Sequence, residues 1–168
     1  MGNSPEVRIR LEENEQDTHR MTETMPQSDF YAKVRRGLPA LIGQWRRLGQ
    51  GDEDRLARLL AETARVARIG DPQATPDGAT LAAWSRPDAE DTAPLWAART
   101  ALFLLMQMPA RPVPQDDDEA CAWAYCWLRN RDFDDRASAE NALPAHLRES
   151  LADALEAAWI DRQGLRLV

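Results

Sequence analysis

Along most of the chain, apolar residues recur at steps of three and four, the spacing of helices that bury one side. Only near the ends, in "VRIRL" and "LRLV", do apolar and polar residues alternate as in a strand. "SDFYAKVRRG" predicts a first helix with Ser28 as its cap and Gly37 as its stop. "LPALIGQWRRLGQG" predicts a second, with Pro39 in its first turn and "GQG" beyond its end. "DEDRLARLLAETARVARIGDP" is the clearest helix: acids open it, Gly70 follows its last apolar residue and Pro72 lies just beyond. At about 100° per residue, Leu56, Leu59, Leu60, Val66 and Ala67 share one side, and Arg55, Arg58, Arg65 and Arg68 share the other with Glu62.

The connection over residues 70–93 is rich in proline and poor in apolar residues, with one short helix expected at Leu81–Trp84. "APLWAARTALFLLMQMP" runs from Pro94 to Pro109 and is apolar on nearly every side, as a buried helix is. After the extended linker "ARPVPQ", "DDDEACAWAYCWLRN" predicts a core helix over residues 118–130. "SAENALPAHLRESLADALEAAWIDRQG" predicts the last one, with Leu147, Leu151, Leu155 and Trp159 on one stripe and Gly164 as terminator. The expected fold is all-α: residues 28–168 form a single antiparallel bundle of five to six helices packed around 94–108 and 118–130. Residues 1–27 form a polar, acidic arm, disordered or dependent on a partner, in which Val7, Ile9 and Leu11 suit one short strand. Such a strand needs an edge, from "LRLV" of the same chain or from a partner's sheet.

Composition supports this picture. The chain has 168 residues, 43% of them hydrophobic, with six Trp against three Phe and two Tyr, enough for one buried core. A net charge of −7 opposes general affinity for nucleic acid or anionic membranes, yet residues 33–68 carry nine basic and four acidic side chains. The start lacks the apolar core of a secretory signal, so a cytoplasmic location is expected. The most apolar run spans 15 residues and contains Arg99, too short to cross a membrane.

Candidate chemistry is sparse. "DDDE" precedes a helix, where acids complement the positive end of the dipole. Cys121 and Cys126, five apart, point about 140° away from each other on a helix and lie among Ala, Trp and Tyr, so neither a shared metal site nor an activated thiol is expected. Trp123 and Trp127 share a side that suits a core stripe, or stacking on a base or a partner groove. "RNRDFDDR" reads as a solvated turn with ion pairs. No phosphate loop, nucleophile elbow or zinc-binding helix motif occurs. The expectation is therefore no enzyme, no metal and no cofactor. The weakest alternative pairs one of the cysteines with His146.

The sharpest feature is the set Arg35, Arg36, Arg46, Arg47, Arg55, Arg58, Arg65 and Arg68, whose guanidinium groups match phosphate geometry. "LIGQWRRLGQGDEDRLARL" resembles the opening helices of the small helical subunit of CRISPR Cascade complexes, which lines bound strands without catalysing anything. That family's glycine-rich segment and basic second half have no counterpart here, where Asp116 to Asp135 is acidic. Two functions follow as expectations. The first is a non-catalytic helical subunit or adaptor that docks to other proteins, with Val7, Ile9, Leu11 and Trp84 as contact residues. The alternative is a nucleic-acid-contacting small subunit of a ribonucleoprotein or CRISPR-type effector complex, holding phosphates through residues 33–68.

Overall fold

The computed structural model describes residues 27–89 and 92–166. Among these residues the regular structure is helical, without a strand. In chain order the helices are α1 (Gln27–Leu48), α2 (Glu53–Val66), α3 (Gly78–Trp84), α4 (Leu95–Leu105), α5 (Asp117–Asn130), α6 (Arg136–Asn141), α7 (Ala145–Arg148) and α8 (Ala152–Arg166). The expected strand at Val7, Ile9 and Leu11 lies outside the described residues. No helix is long and apolar enough to cross a membrane among them.

One cluster of buried residues extends from Phe30 to Trp159 and draws on every helix from α1 to α8. Its most extensive pairing is α1 on α5, followed by α4 on α1 and α8 on α5. Trp45, Trp123, Leu60, Leu102, Leu147 and Leu155 are among its fully enclosed side chains. Enclosing each one stabilises the fold by roughly 1.5–3 kcal/mol before entropy is counted.

The predicted boundaries are corrected in three parts of the chain. α1 continues through Gly37 and Pro39 instead of breaking there, and Ser28 lies inside its first turn. Gly37 is needed where α1 meets α5: a Cβ there would collide with the Asp118 carbonyl. Pro39 has no N–H to offer the Arg35 carbonyl, but the flanking turns of a 22-residue helix are held by their packing on the core.

α2 ends at Val66, and the left-handed residue beyond it is Arg68, with φ 57°, rather than Gly70. The amides of Ile69 and Gly70 both donate to the Ala64 carbonyl, at 2.9 and 3.3 Å. Gly70 serves a close approach, since a Cβ there would stand 2.6 Å from the Trp96 Cβ. The last predicted helix is divided into α6, α7 and α8, with Pro144 as the cap before α7. Its stripe of Leu147, Leu151, Leu155 and Trp159 is nevertheless buried. α8 passes through Gly164 to Arg166, so part of "LRLV" is helical rather than a strand edge.

Candidate docking face

Most of the residues that attracted attention as chemistry turn out to hold helices together. Asp116 caps α5 by accepting from the Glu119 amide at 2.8 Å, while Lys33 meets Asp117 at 2.8 Å and Arg36 grips Asp118 through two nitrogens at 3.0 and 3.2 Å. The acidic run thus starts one helix and ties it to α1. Glu119 is buried, accepting from the Gln115 amide at 2.6 Å and from the Trp123 indole at 3.3 Å. Burial pushes its carboxyl above the usual range, and those two donors pull it partly back.

Cys121 and Cys126 are free and buried; loss of solvent, with the Asp117 charge beside Cys121, pushes their thiols up to about 11 and about 12. Both therefore hold their protons near neutrality. Trp123 and Trp127 are core residues, and the Trp127 indole donates to the Ala139 carbonyl at 2.9 Å. Tyr31 hydrogen-bonds Asp161, and that bond, followed by burial, pushes its hydroxyl up to about 12.

The "RNRDFDDR" segment is less solvated than expected. Phe133 is buried and packs 5.5 Å from the Trp127 ring, and Asp135 caps α6 at the Ser138 amide. Its ion pairs reach across to α8, from Arg129 to Asp161 and from Asp132 to Arg162. Arg99, inside an apolar stretch, is a pin: it donates to the Asn130 side chain at 2.9 Å and to the carbonyls of Ile69 and Arg129 at 3.2 and 2.6 Å.

The eight arginines do not act alike. Arg36 is engaged with Asp118, and Arg46 with Glu53 and Ser85, while Arg35 and Arg47 are exposed on α1. Arg55, Arg58 and Arg65 are exposed on α2 and Arg68 is exposed beyond its end, although Arg65 also donates to the Pro72 carbonyl at 3.1 Å. Trp84 is half-buried on α3, its ring edge-on to Trp96 at 5.7 Å.

What the sequence pattern missed is apolar. Leu59 and Val66, assigned by periodicity to the buried side of α2, are 44% and 85% exposed. α4, expected to be enclosed, turns Ala98, Ala101, Leu102 and Leu105 inward but leaves Phe103 38% exposed and Leu104 and Met106 half-buried. Two open grooves flank this uncovered side and share Gln107. One, of about 600 Å³, is lined by Trp45, Leu48, Leu56, Leu59, Leu104 and Met108 among others. The other, of about 510 Å³, includes Ala67, Ile69, Phe103, Met106, Trp127 and Arg131. Val113 and Ile160 are also exposed, but singly, as on any protein surface.

Among the described residues, Arg131 is the one charged residue lining either groove. Arg68 and Arg111 adjoin the grooves in sequence, next to Ala67 and Ala110, and are the two non-glycine residues with positive φ among the described residues. A left-handed backbone favours glycine, so arginine at each place carries a local cost of roughly 1–2 kcal/mol. No group of three or more potential metal ligands occurs among the described residues. The arrangement offers an apolar floor with arginines near its edge. Compared with known proteins, the chain matches no family model, no curated protein and no solved structure.

Proposed function

We propose that this protein is a non-catalytic, helical subunit or adaptor, an antiparallel bundle that works in the cytoplasm by docking to another protein. The observation that carries this reading is the uncovered apolar side of α2 and α4, where the exposed Leu59 and Phe103 each line one of two grooves. Isolated exposed apolar residues need no explanation, whereas several around adjoining grooves mark interaction surfaces. The raised thiols and Tyr31 hydroxyl support the same reading, because groups that hold their protons near neutrality serve poorly as nucleophiles or bases.

The test compares gentle isolation of the tagged wild-type chain with a Leu59→Glu, Phe103→Glu variant from the same native cells. The expected result is a heavier complex with the wild type that the variant fails to retain, although its helical circular dichroism is unchanged. A complex retained by both would overturn the reading.

A second reading is favoured by one observation, the exposure of Arg55, Arg58 and Arg65 along α2 and of Arg68 just beyond it. In it the chain is a nucleic-acid-contacting small subunit, and those side chains hold a phosphate backbone. Arg58→Glu with Arg65→Glu then abolishes a salt-sensitive, nuclease-sensitive association that the apolar variant keeps. A complex indifferent to both nuclease and the double charge reversal removes this reading.

A further inference from the structure

The chemistry of the apolar face specifies what covers it. Its floor is apolar: the smaller groove has Arg131 in its lining and Arg68 next to it in sequence, and the larger groove is bordered in sequence by Arg111, Arg68 and Arg111 both in left-handed backbone. A fitting occupant brings apolar side chains at close spacing with carboxylates next to them. Residues 7–17, "VRIRLEENEQD", come near to that composition: Val7, Ile9 and Leu11 alternate with Arg8 and Arg10, which an extended chain turns to the opposite side, and Glu12, Glu13, Glu15 and Asp17 follow. Laid out as an extended segment, alternate residues project to one side, so these three apolar side chains would enter a groove together.

The tether is long enough. α1, of 22 residues, is about 33 Å long. The larger groove lies at its far end, beside Trp45 and Leu48. The chain between Leu11 and Gln27 spans up to about 55 Å when extended.

Building on the docking reading above, we propose that residues 7–17 occupy the α2–α4 face of their own chain, so that a partner gains the face only by displacing them. The device is intramolecular competition. It keeps an apolar surface covered until a partner with the same combination of apolar and acidic groups arrives.

The experiment uses the full chain with Ile9→Cys carrying a nitroxide label; Cys121 and Cys126 are buried with raised thiols and do not take it at neutral pH. The expected result is a severalfold loss of the methyl signals of Leu48, Leu59 and Met108 at every protein concentration, relative to the reduced label, while Ile160 on α8 keeps its intensity. Adding Glu12→Lys, Glu13→Lys and Glu15→Lys should restore those signals. Signals untouched by the label would overturn the proposal, as would a loss that disappears on dilution, which would assign the segment to a second copy. If the label fails to find the face while Leu59→Glu, Phe103→Glu still releases the partner, self-occupancy falls and the docking reading stands.

Discussion

α5 and α2 are both 14-residue helices with an aspartate cap and acids in the first turn, yet they end in opposite circumstances. α5 is packed by α1, α4 and α8, so nine of its residues are buried, including Glu119. α2 packs chiefly on α3 and α4, with the Arg46–Glu53 ion pair to α1, and it buries Leu56, Ala57, Leu60, Ala61 and Ala64 while Leu59 and Val66 remain outside. The difference teaches that an apolar stripe sets what a helix is able to bury, and the number of surrounding elements sets what it does bury. On α5 the surplus of large side chains is used up in the core; on α2 it is left for something else.

That contrast can be broken by substitution. Trp123→Ala removes a fully enclosed indole and the donor to Glu119, so a loss of about 4 kcal/mol is expected from urea unfolding. A loss under about 1 kcal/mol would mean that α5 is not the centre described. Neighbouring leucines on α2 sharpen the point: Leu60→Ala should cost about 3 kcal/mol and Leu59→Ala less than about 0.5 kcal/mol. Similar values for both would erase the distinction between the inner and outer sides of α2.

Arg68→Gly should raise stability by about 0.5–1 kcal/mol, because glycine accepts φ 57° without the side-chain clash. It should also weaken partner binding if the cationic edge matters. Unaltered stability would show that this backbone carries no cost.

The smallest effect is a pH slope. Burial raises the Glu119 carboxyl in the folded chain above its unfolded value, so the folded chain binds the proton more tightly. Its contribution to stability is most favourable below the unfolded value and is lost as pH rises through the raised one. Glu119→Gln should therefore gain on the wild type between the ordinary glutamate range and neutrality, read from urea midpoints. Parallel midpoint curves would contradict a raised carboxyl at this position.

Much of the fold was legible. The apolar spacing located α2, α4, α5 and the short α3, and the Leu147 to Trp159 stripe predicted burial correctly even though the helix around it is interrupted. The errors arose where tertiary contact replaced local preference. Gly37 and Gly70 looked like helix stops but are places where another chain segment comes too close for a Cβ. The uncovered apolar side was the least legible part, because α4 is apolar all round and periodicity cannot say which side lacks a neighbour. One signal was present: the poorly apolar connection 70–93 beside α4 had little with which to cover it.

The central claim, that the uncovered side of α2 and α4 receives a protein partner, is most directly tested by hydroxyl-radical footprinting of the isolated complex against the free chain carrying Glu12→Lys, Glu13→Lys and Glu15→Lys, in which residues 7–17 no longer compete for the face. Protection concentrated at Leu59, Phe103, Met106 and Met108, with Ile160 unchanged, is the predicted outcome. Equal oxidation of those four side chains in both states, or protection confined to α8, would contradict it.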